Sequence, residues 1–256
     1  MHAWPRLSAA LSAARLCARK VVWWCQQRFL RQFVVEIDLR DPATIRLVAG
    51  VDISFVKGSA TDACAGLVVC ELPSLRVVYA RCERISLREP YIPGYLAFRE
   101  VPFLLQLLRV HNTERPELNP ELVLVDGNGI LHPHRFGLAC HLGVLCGTPT
   151  VGVAKSLHCV DGLTTRNMRE LTAQTCTRAG DSALLVGDSG AVWGAALRTT
   201  DLEGGFSPVI VSVGHGLSLS SAVELVRRCS RHRVPEPIRQ ADLRSREWLR
   251  AHAPTS

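Results

Sequence analysis

The chain has 256 residues, 47% hydrophobic and 21% charged, which suits one large core in a single α/β domain and excludes a disordered or fibrous chain. No apolar run reaches the roughly 18 to 20 residues that span a bilayer, so a membrane-spanning helix is excluded and a soluble protein expected. A formal net charge of +7 suits a polyanionic partner such as nucleic acid but does not identify one.

Residues 1–35 contain no acid and are rich in Arg, Ala and Leu. Two readings are open. One is a mitochondrial targeting peptide, which is typically basic and acid-poor. The other is an amphipathic first helix of the fold, with Leu11, Val21, Trp24 and Leu30 on its apolar side and Trp23 beside them. The second is favoured, because paired tryptophans suit a helix docked on a core.

Residues 46–56 read as a strand, with Gly50 allowing close packing. Residues 62–72 and 75–85 follow on either side of Pro73-Ser74, a turn signal, so three antiparallel strands run in succession. A stiff loop, Arg88-Glu89-Pro90-Tyr91-Ile92-Pro93-Gly94, leads into a helix predicted over 95–111. Residues 122–125 are Leu-Val-Leu-Val, a short strand of the kind buried on both faces, and run into Asp126-Gly127-Asn128-Gly129. A helix is predicted over 136–145 and a buried strand over 150–153. Residues 183–186 and 191–197 make a hairpin about Asp188-Ser189-Gly190. A strand over 209–213 precedes His215-Gly216, and Ser218 caps a helix running to Cys229. The last segment, 238–252, is charged and helical in pattern. No repeat, low-complexity tract or linker divides the chain, so the expectation is one domain with a mixed sheet flanked by helices.

Ten cysteines are scattered singly from Cys17 to Cys229, with no CxxC and no zinc-like Cys/His spacing. They fit a reducing, intracellular compartment in which most serve as small buried hydrophobes.

Two acids stand out because they interrupt or end apolar strands. Asp52 lies in Val51-Asp52-Ile53-Ser54-Phe55, and Asp126 closes Leu-Val-Leu-Val. A buried carboxylate without a partner is costly, and two at the same end of adjacent strands repel. A divalent cation answers both problems, magnesium favouring hard oxygen ligands. The plain alternative is that Asp52 caps a turn and Asp126 forms an Asx-turn into Gly127; the pair together favours the metal. Glu100 sits one step off the apolar stripe of Leu96, Val101, Leu104 and Leu105, at the edge of its helix. On spacing alone the reading as a solvated acid paired with an arginine prevails.

At these residues the sequence resembles the endonuclease V family. The matching pieces are Gly50-Val51-Asp52-Ile53-Ser54-Phe55, Pro90-Tyr91-Ile92-Pro93-Gly94-Tyr95-Leu96-Ala97-Phe98-Arg99-Glu100, Asp126-Gly127-Asn128-Gly129-Ile130-Leu131-His132-Pro133, Gly152-Val153-Ala154-Lys155-Ser156, and Pro235-Glu236-Pro237-Ile238-Arg239-Gln240-Ala241-Asp242. They stand in the family's order and cover the chain from about residue 46 to 250. The resemblance implies a ribonuclease H-like fold whose metal site takes acids from the first strand, first helix, fourth strand and C-terminal helix. Asp52, Glu100, Asp126 and Asp242 occupy those places. It further implies Mg²⁺, with Mn²⁺ able to substitute, and in-line hydrolysis leaving a 5′-phosphate and a 3′-hydroxyl. Lys155 is expected near the phosphate or the attacking water, and His132 in the same region unless it is a loop histidine bonded to backbone.

In the family the loop of Pro90, Tyr91, Ile92 and Pro93 acts as a wedge, and a flat Tyr91 suits stacking on a base. The expected substrate is inosine, cut at the second bond on its 3′ side, with the base held in a pocket by backbone groups of Gly127, Asn128, Gly129 and Ile130. Animal-type members imply single-stranded RNA ahead of DNA. A DNA repair nuclease for deaminated adenine and a non-catalytic inosine-binding protein are the alternatives. A monomer in cytoplasm and nucleus or nucleolus is expected, with mitochondrial targeting left open. Residues 1–40 depart from the family pattern and are set apart as a basic helical segment before a domain over 41–256.

Overall fold

The structure, a computed structural model, describes residues 4–201 and 207–252, with side chains from residue 15 onward. Val48, Ala49, Gly50 and Val51 are all buried, so β1 (Leu47–Phe55) is covered on both faces. It pairs antiparallel with β2 (Asp62–Glu71), which pairs antiparallel with β3 (Arg76–Ser86). After α2 (Leu96–Glu114), the apolar run forms β4 (Leu122–Asp126), parallel to β1 with Val51 level with Val125. Then come α3 (Leu138–Cys146), β5 (Thr150–Ala154), α4 (Thr165–Thr175), the hairpin of β6 (Ser182–Val186) and β7 (Val192–Leu197), and β8 (Val209–His215). The described chain closes with α5 (Leu219–Arg228) and α6 (Glu236–Ala251). The eight strands lie in the order β3-β2-β1-β4-β5-β8-β7-β6, the mixed ribonuclease H-like sheet expected.

Alternation splits the core between two faces. Ala49, Val51, Leu67, Val123 and Val125 pack under α2 and α3, against Val101, Leu104 and Leu142. Val48, Leu122 and Leu124 point the other way and join Leu225 of α5 and Ile238 of α6. α6 lies directly across β1 and β2. A Cβ added at Gly50 would stand 2.1 Å from the Pro237 carbonyl carbon, and one at Gly66 2.9 Å from the Ala241 oxygen. Only glycine lets the helix backbone approach this closely.

Three expectations need correction. The N-terminal helix, α1 (Trp4–Arg31), docks through Trp23, Gln27 and Leu30, spaced at one face. Trp23 stacks on Phe98 with ring centroids 5.1 Å apart, while Val21 and Trp24 are exposed. Leu11 lies outside the residues whose side chains are described. The chain after α1 is bonded to the body as well: Gly216 N–H donates to Val35 O at 2.7 Å and Ser218 N–H to Asp38 Oδ1 at 2.7 Å. Second, α4 was not expected. It is polar, with only Met168 and Thr172 buried, and Thr164 starts it through a capping box with Asn167. Third, all ten cysteines are free thiols, but five rather than most are buried: Cys64, Cys70, Cys140, Cys176 and Cys229. Among the described residues no helix is long and apolar enough to cross a membrane.

Gly50→Ala is expected to push α6 off β1. It should cost about 3 kcal/mol and lower the melting temperature by roughly 6–12 °C, measured by calorimetry.

Candidate active site

Asp52 is the sixth residue of β1 and only 9% exposed. Because Val51 is level with Val125, Asp52 and Asp126 follow side by side on parallel strands, and alternation turns both toward the α6 face. α6 brings Asp242 over the same strands. Glu100, buried near the start of α2, reaches the group from the next element. The four predicted acids therefore come from four segments distant in sequence and meet at one end of β1 and β4.

Burial pushes the Asp52 carboxyl up to about 7, helped by the charges of Asp126 and Asp242, against the opposing pull of Lys155 and Ser54. Burial also lifts Glu100 to about 7, with Asp52 and Asp126 adding to it and Arg99 opposing. Lys155, just beyond β5, sets its Nζ 2.5 Å from Asp126 Oδ2. Burial works against its charge, but the Asp126 hydrogen bond and the charges of Asp126, Asp52 and Asp242 hold its pKa above the ordinary lysine value. Asp242 is paired with Arg246 at 2.7 Å.

One pair was not foreseen. Ser54 Oγ donates to Asp52 Oδ2 at 3.2 Å and accepts from Ser245 Oγ at 2.8 Å, which ties α6 to the central acid. Its sequence signal is plain in retrospect, since Ser54 stands two residues beyond Asp52 and so on the same face of the strand.

Among the described residues no group of three or more His, Cys, Asp or Glu side chains forms a ready-made metal cage. Magnesium does not require one, because it usually binds one or two carboxylates and keeps water and substrate phosphate as its other ligands. A wholly carboxylate donor set, with Asp52 and Glu100 raised by burial and by their neighbours' charge, fits a hard divalent cation, which would relieve the repulsion.

The 90–94 loop runs directly into α2, whose second turn carries Glu100. Ile92 is buried and anchors it, Gly94 takes φ +83°, and Tyr91 is 65% exposed. The tyrosine is thus presented to solvent and is not packed on the sheet edge. The 127–130 turn differs from expectation. Gly129 N–H donates to Ser212 Oγ at 2.8 Å, Ile130 N–H to Val213 O at 2.8 Å and Gly127 N–H to Val153 O at 3.3 Å. A Cβ at Gly129 would stand 2.0 Å from the Val213 oxygen. Glycine there serves packing on β8, and these N–H groups are already taken. Asn128 keeps a buried side-chain Oδ1 with no hydrogen-bond partner, a free acceptor inside the turn. His132 is also placed differently. Its ring takes the His134 N–H at 3.2 Å on Nδ1 and faces His158, and burial holds its pKa down to about 4. These contacts leave it in the loop network; none of them is with the four acids.

A family model described as Endonuclease V matches residues 29–243. Human Endonuclease V is 49% identical over 235 residues, covering 90% of this chain and 83% of that protein. The crystal structure of its catalytic domain superposes with a TM-score of 0.88 at 48% identity, covering 91% of this chain and 97% of that one. Ciona intestinalis Endonuclease V, solved with a 24mer DNA containing an inosine followed by a ribo-adenosine, gives a TM-score of 0.85 at 33% identity, covering 91% and 99%.

The raised carboxyl pKa values carry a stability signature. A folded pKa near 7 against an ordinary 3.8 means that folded Asp52 binds more protons than unfolded between those values, so its contribution falls as pH rises from about 4 to 7. In metal-free protein Asp52→Asn is therefore expected to be the more stable form at pH 7.5, by on the order of 2 kcal/mol, with the advantage vanishing near pH 4. Paired thermal melts of both proteins across that range measure it, and a constant or reversed difference contradicts it.

Proposed function

The chain belongs to the endonuclease V family and is an endonuclease, a hydrolase of nucleic-acid ester bonds; we propose that it requires Mg²⁺, with Mn²⁺ able to replace it, and cuts single-stranded RNA at the second bond 3′ of inosine, and DNA more weakly. The observation that carries the metal is the cluster of Asp52, Glu100, Asp126 and Asp242, in which two buried carboxyls are pushed to about 7 by burial and by neighbouring carboxylates. Asp52 and Asp126 would be the metal's principal ligands, with Glu100 and Asp242 adding negative charge beside them and water and the substrate phosphate as the remaining ligands. A divalent ion held there would acidify a bound water and offset charge on the scissile phosphate.

The chain's own groups have separate tasks. Lys155 keeps its proton and offers the phosphate a cation fixed by Asp126. Ser54 orients Asp52 by donating to one oxygen and leaving the other free. Tyr91, exposed at the tip of a loop stiffened by Pro90 and Pro93, stacks on a base beside the displaced inosine. Asn128 Oδ1 suits the N1–H that hypoxanthine has and adenine lacks. RNA ahead of DNA is supported by the Ciona intestinalis relative, whose bound strand carries a ribose next to the inosine.

Matched strands carrying inosine or adenosine, as RNA and as DNA, test the reading with purified protein and Mg²⁺. Inosine-dependent cleavage leaving 5′-phosphate ends is expected, fastest on RNA. Asp52→Ala and Asp126→Ala should each lower kcat at least about a thousandfold. Tyr91→Ala should mainly raise KM, by roughly tenfold, as the loss of one stacked base predicts. Cleavage indifferent to inosine, or activity surviving both aspartate changes, removes the proposal.

A further inference from the structure

Gln27 is a polar residue of α1 that is only 1% exposed, and every side-chain hydrogen bond it makes reaches one of two loops. Nε2 donates to Gly94 O at 3.2 Å and to Phe136 O at 2.9 Å. Oε1 accepts from His134 Nδ1 at 2.5 Å. Gly94 ends the loop that carries Tyr91; His134 and Phe136 end the turn that starts at Asp126 and Asn128. One buried amide therefore bridges the two segments assigned above to base recognition.

Neither segment has regular structure at these points; α2 and α3 begin two residues beyond Gly94 and Phe136, but no ladder bonds the two segments to each other. The 128–137 turn closes on itself, with Gly137 N–H donating to Gly129 O at 2.9 Å and Ala139 N–H to Asn128 O at 3.1 Å. It therefore moves as a unit, carrying Asn128 with it. The 90–94 loop is held from the α1 side, where Arg19 pairs with Glu89 at 2.6 Å and Trp23 stacks on Phe98. His132 adds a second tie, because its ring meets the Gly94 backbone while Nδ1 accepts from His134 N–H. Removing the Gln27 amide would strand the buried Phe136 carbonyl and leave Gly94 O without its tie to α1, and a buried unpaired carbonyl drives local rearrangement.

We propose that Gln27 is a positioning residue for base selection: from α1 it fixes the gap between the Tyr91 loop and the Asn128 turn, and so the fit for hypoxanthine over adenine. The proposal rests on the inosine reading above. A merely structural glutamine would support fold stability and affect all substrates alike, whereas a spacing residue sets the ratio between bases.

The test is steady-state cleavage of inosine and adenosine strands by wild type, Gln27→Met and His134→Ala. Methionine keeps the length and volume of glutamine without its hydrogen bonds. His134→Ala removes the Oε1 tie, together with the ring's edge contacts on Tyr95 and His132, at an exposed position and leaves both Nε2 bonds of Gln27 in place. Gln27→Met is expected to lose at least tenfold in the inosine-to-adenosine ratio of kcat/KM, mainly through a higher KM for inosine strands, with kcat within about threefold. His134→Ala should shift the ratio the same way by two- to threefold. An unchanged ratio overturns the proposal, including the case where both substrates fall together with the melting temperature. Should Gln27→Met fail to fold, Gln27→Asn, too short to reach both loops, decides by the same ratio. A wild type without inosine preference overturns the inosine reading and this inference with it, whereas a selective wild type with equally selective variants overturns the inference alone.

Discussion

Like charges repel more strongly as water is withdrawn, and the fold gathers Asp52, Glu100, Asp126 and Asp242 at one end of its central strands against that repulsion. What holds them is packing that does not involve them. The parallel ladder of β1 and β4 sets two aspartates side by side, and α6 is seated on the sheet by glycines at positions 50 and 66. α2 is pinned where Arg99 bonds Ala60 O and lies over Phe55, with its guanidinium carbon 5.5 Å from the ring centre. A buried leucine or valine contributes about 1.5–3 kcal/mol, so a few such side chains offset the cost of crowding the acids. Both cores supply many more than a few.

The molecule divides its work by rigidity. The acids stand on strands and helices, whose positions are over-determined by ladders and two cores. The groups assigned to base recognition stand on irregular segments, the 90–94 loop and the 127–137 turn. Those segments are held through discrete hydrogen bonds donated by Gln27 and accepted by Ser212 Oγ and Val213 O. Precision in the chemistry is thereby built into the sheet, while selectivity depends on a small number of polar contacts.

Most of the framework was legible in the sequence, because period-two and period-3.6 apolar patterns report burial, and burial decides these elements. Asp52 and Asp126 were legible for the same reason, as charges where the pattern demanded core. Glu100 and Asp242 were not, since a helix acid at the edge of an apolar stripe looks like any solvated one. Their convergence appears only once α2 and α6 are placed. α4 escaped because its start lies in a side-chain cap rather than a hydrophobic stripe. The turn glycines misled in an instructive way. Close approach was read correctly, but at Gly129 the approaching backbone is that of β8. Gln27 was missed because a buried polar side chain is identified by its partners, which lie 67 to 109 residues away; Ser54 had one partner in view, Asp52, but its tie to α6 runs to Ser245, 191 residues away.

The placement of Asp242 on α6 bears on how such an enzyme is made. α6 is the last helix of the described chain, and the strands it covers come from the first third. A growing polypeptide can assemble β1 to β4, and with them three of the acids, long before residue 242 leaves the ribosome. The carboxylate group is therefore finished late: its fourth member takes its place only when α6 closes over β1 and β2, after the rest of the sheet has been made.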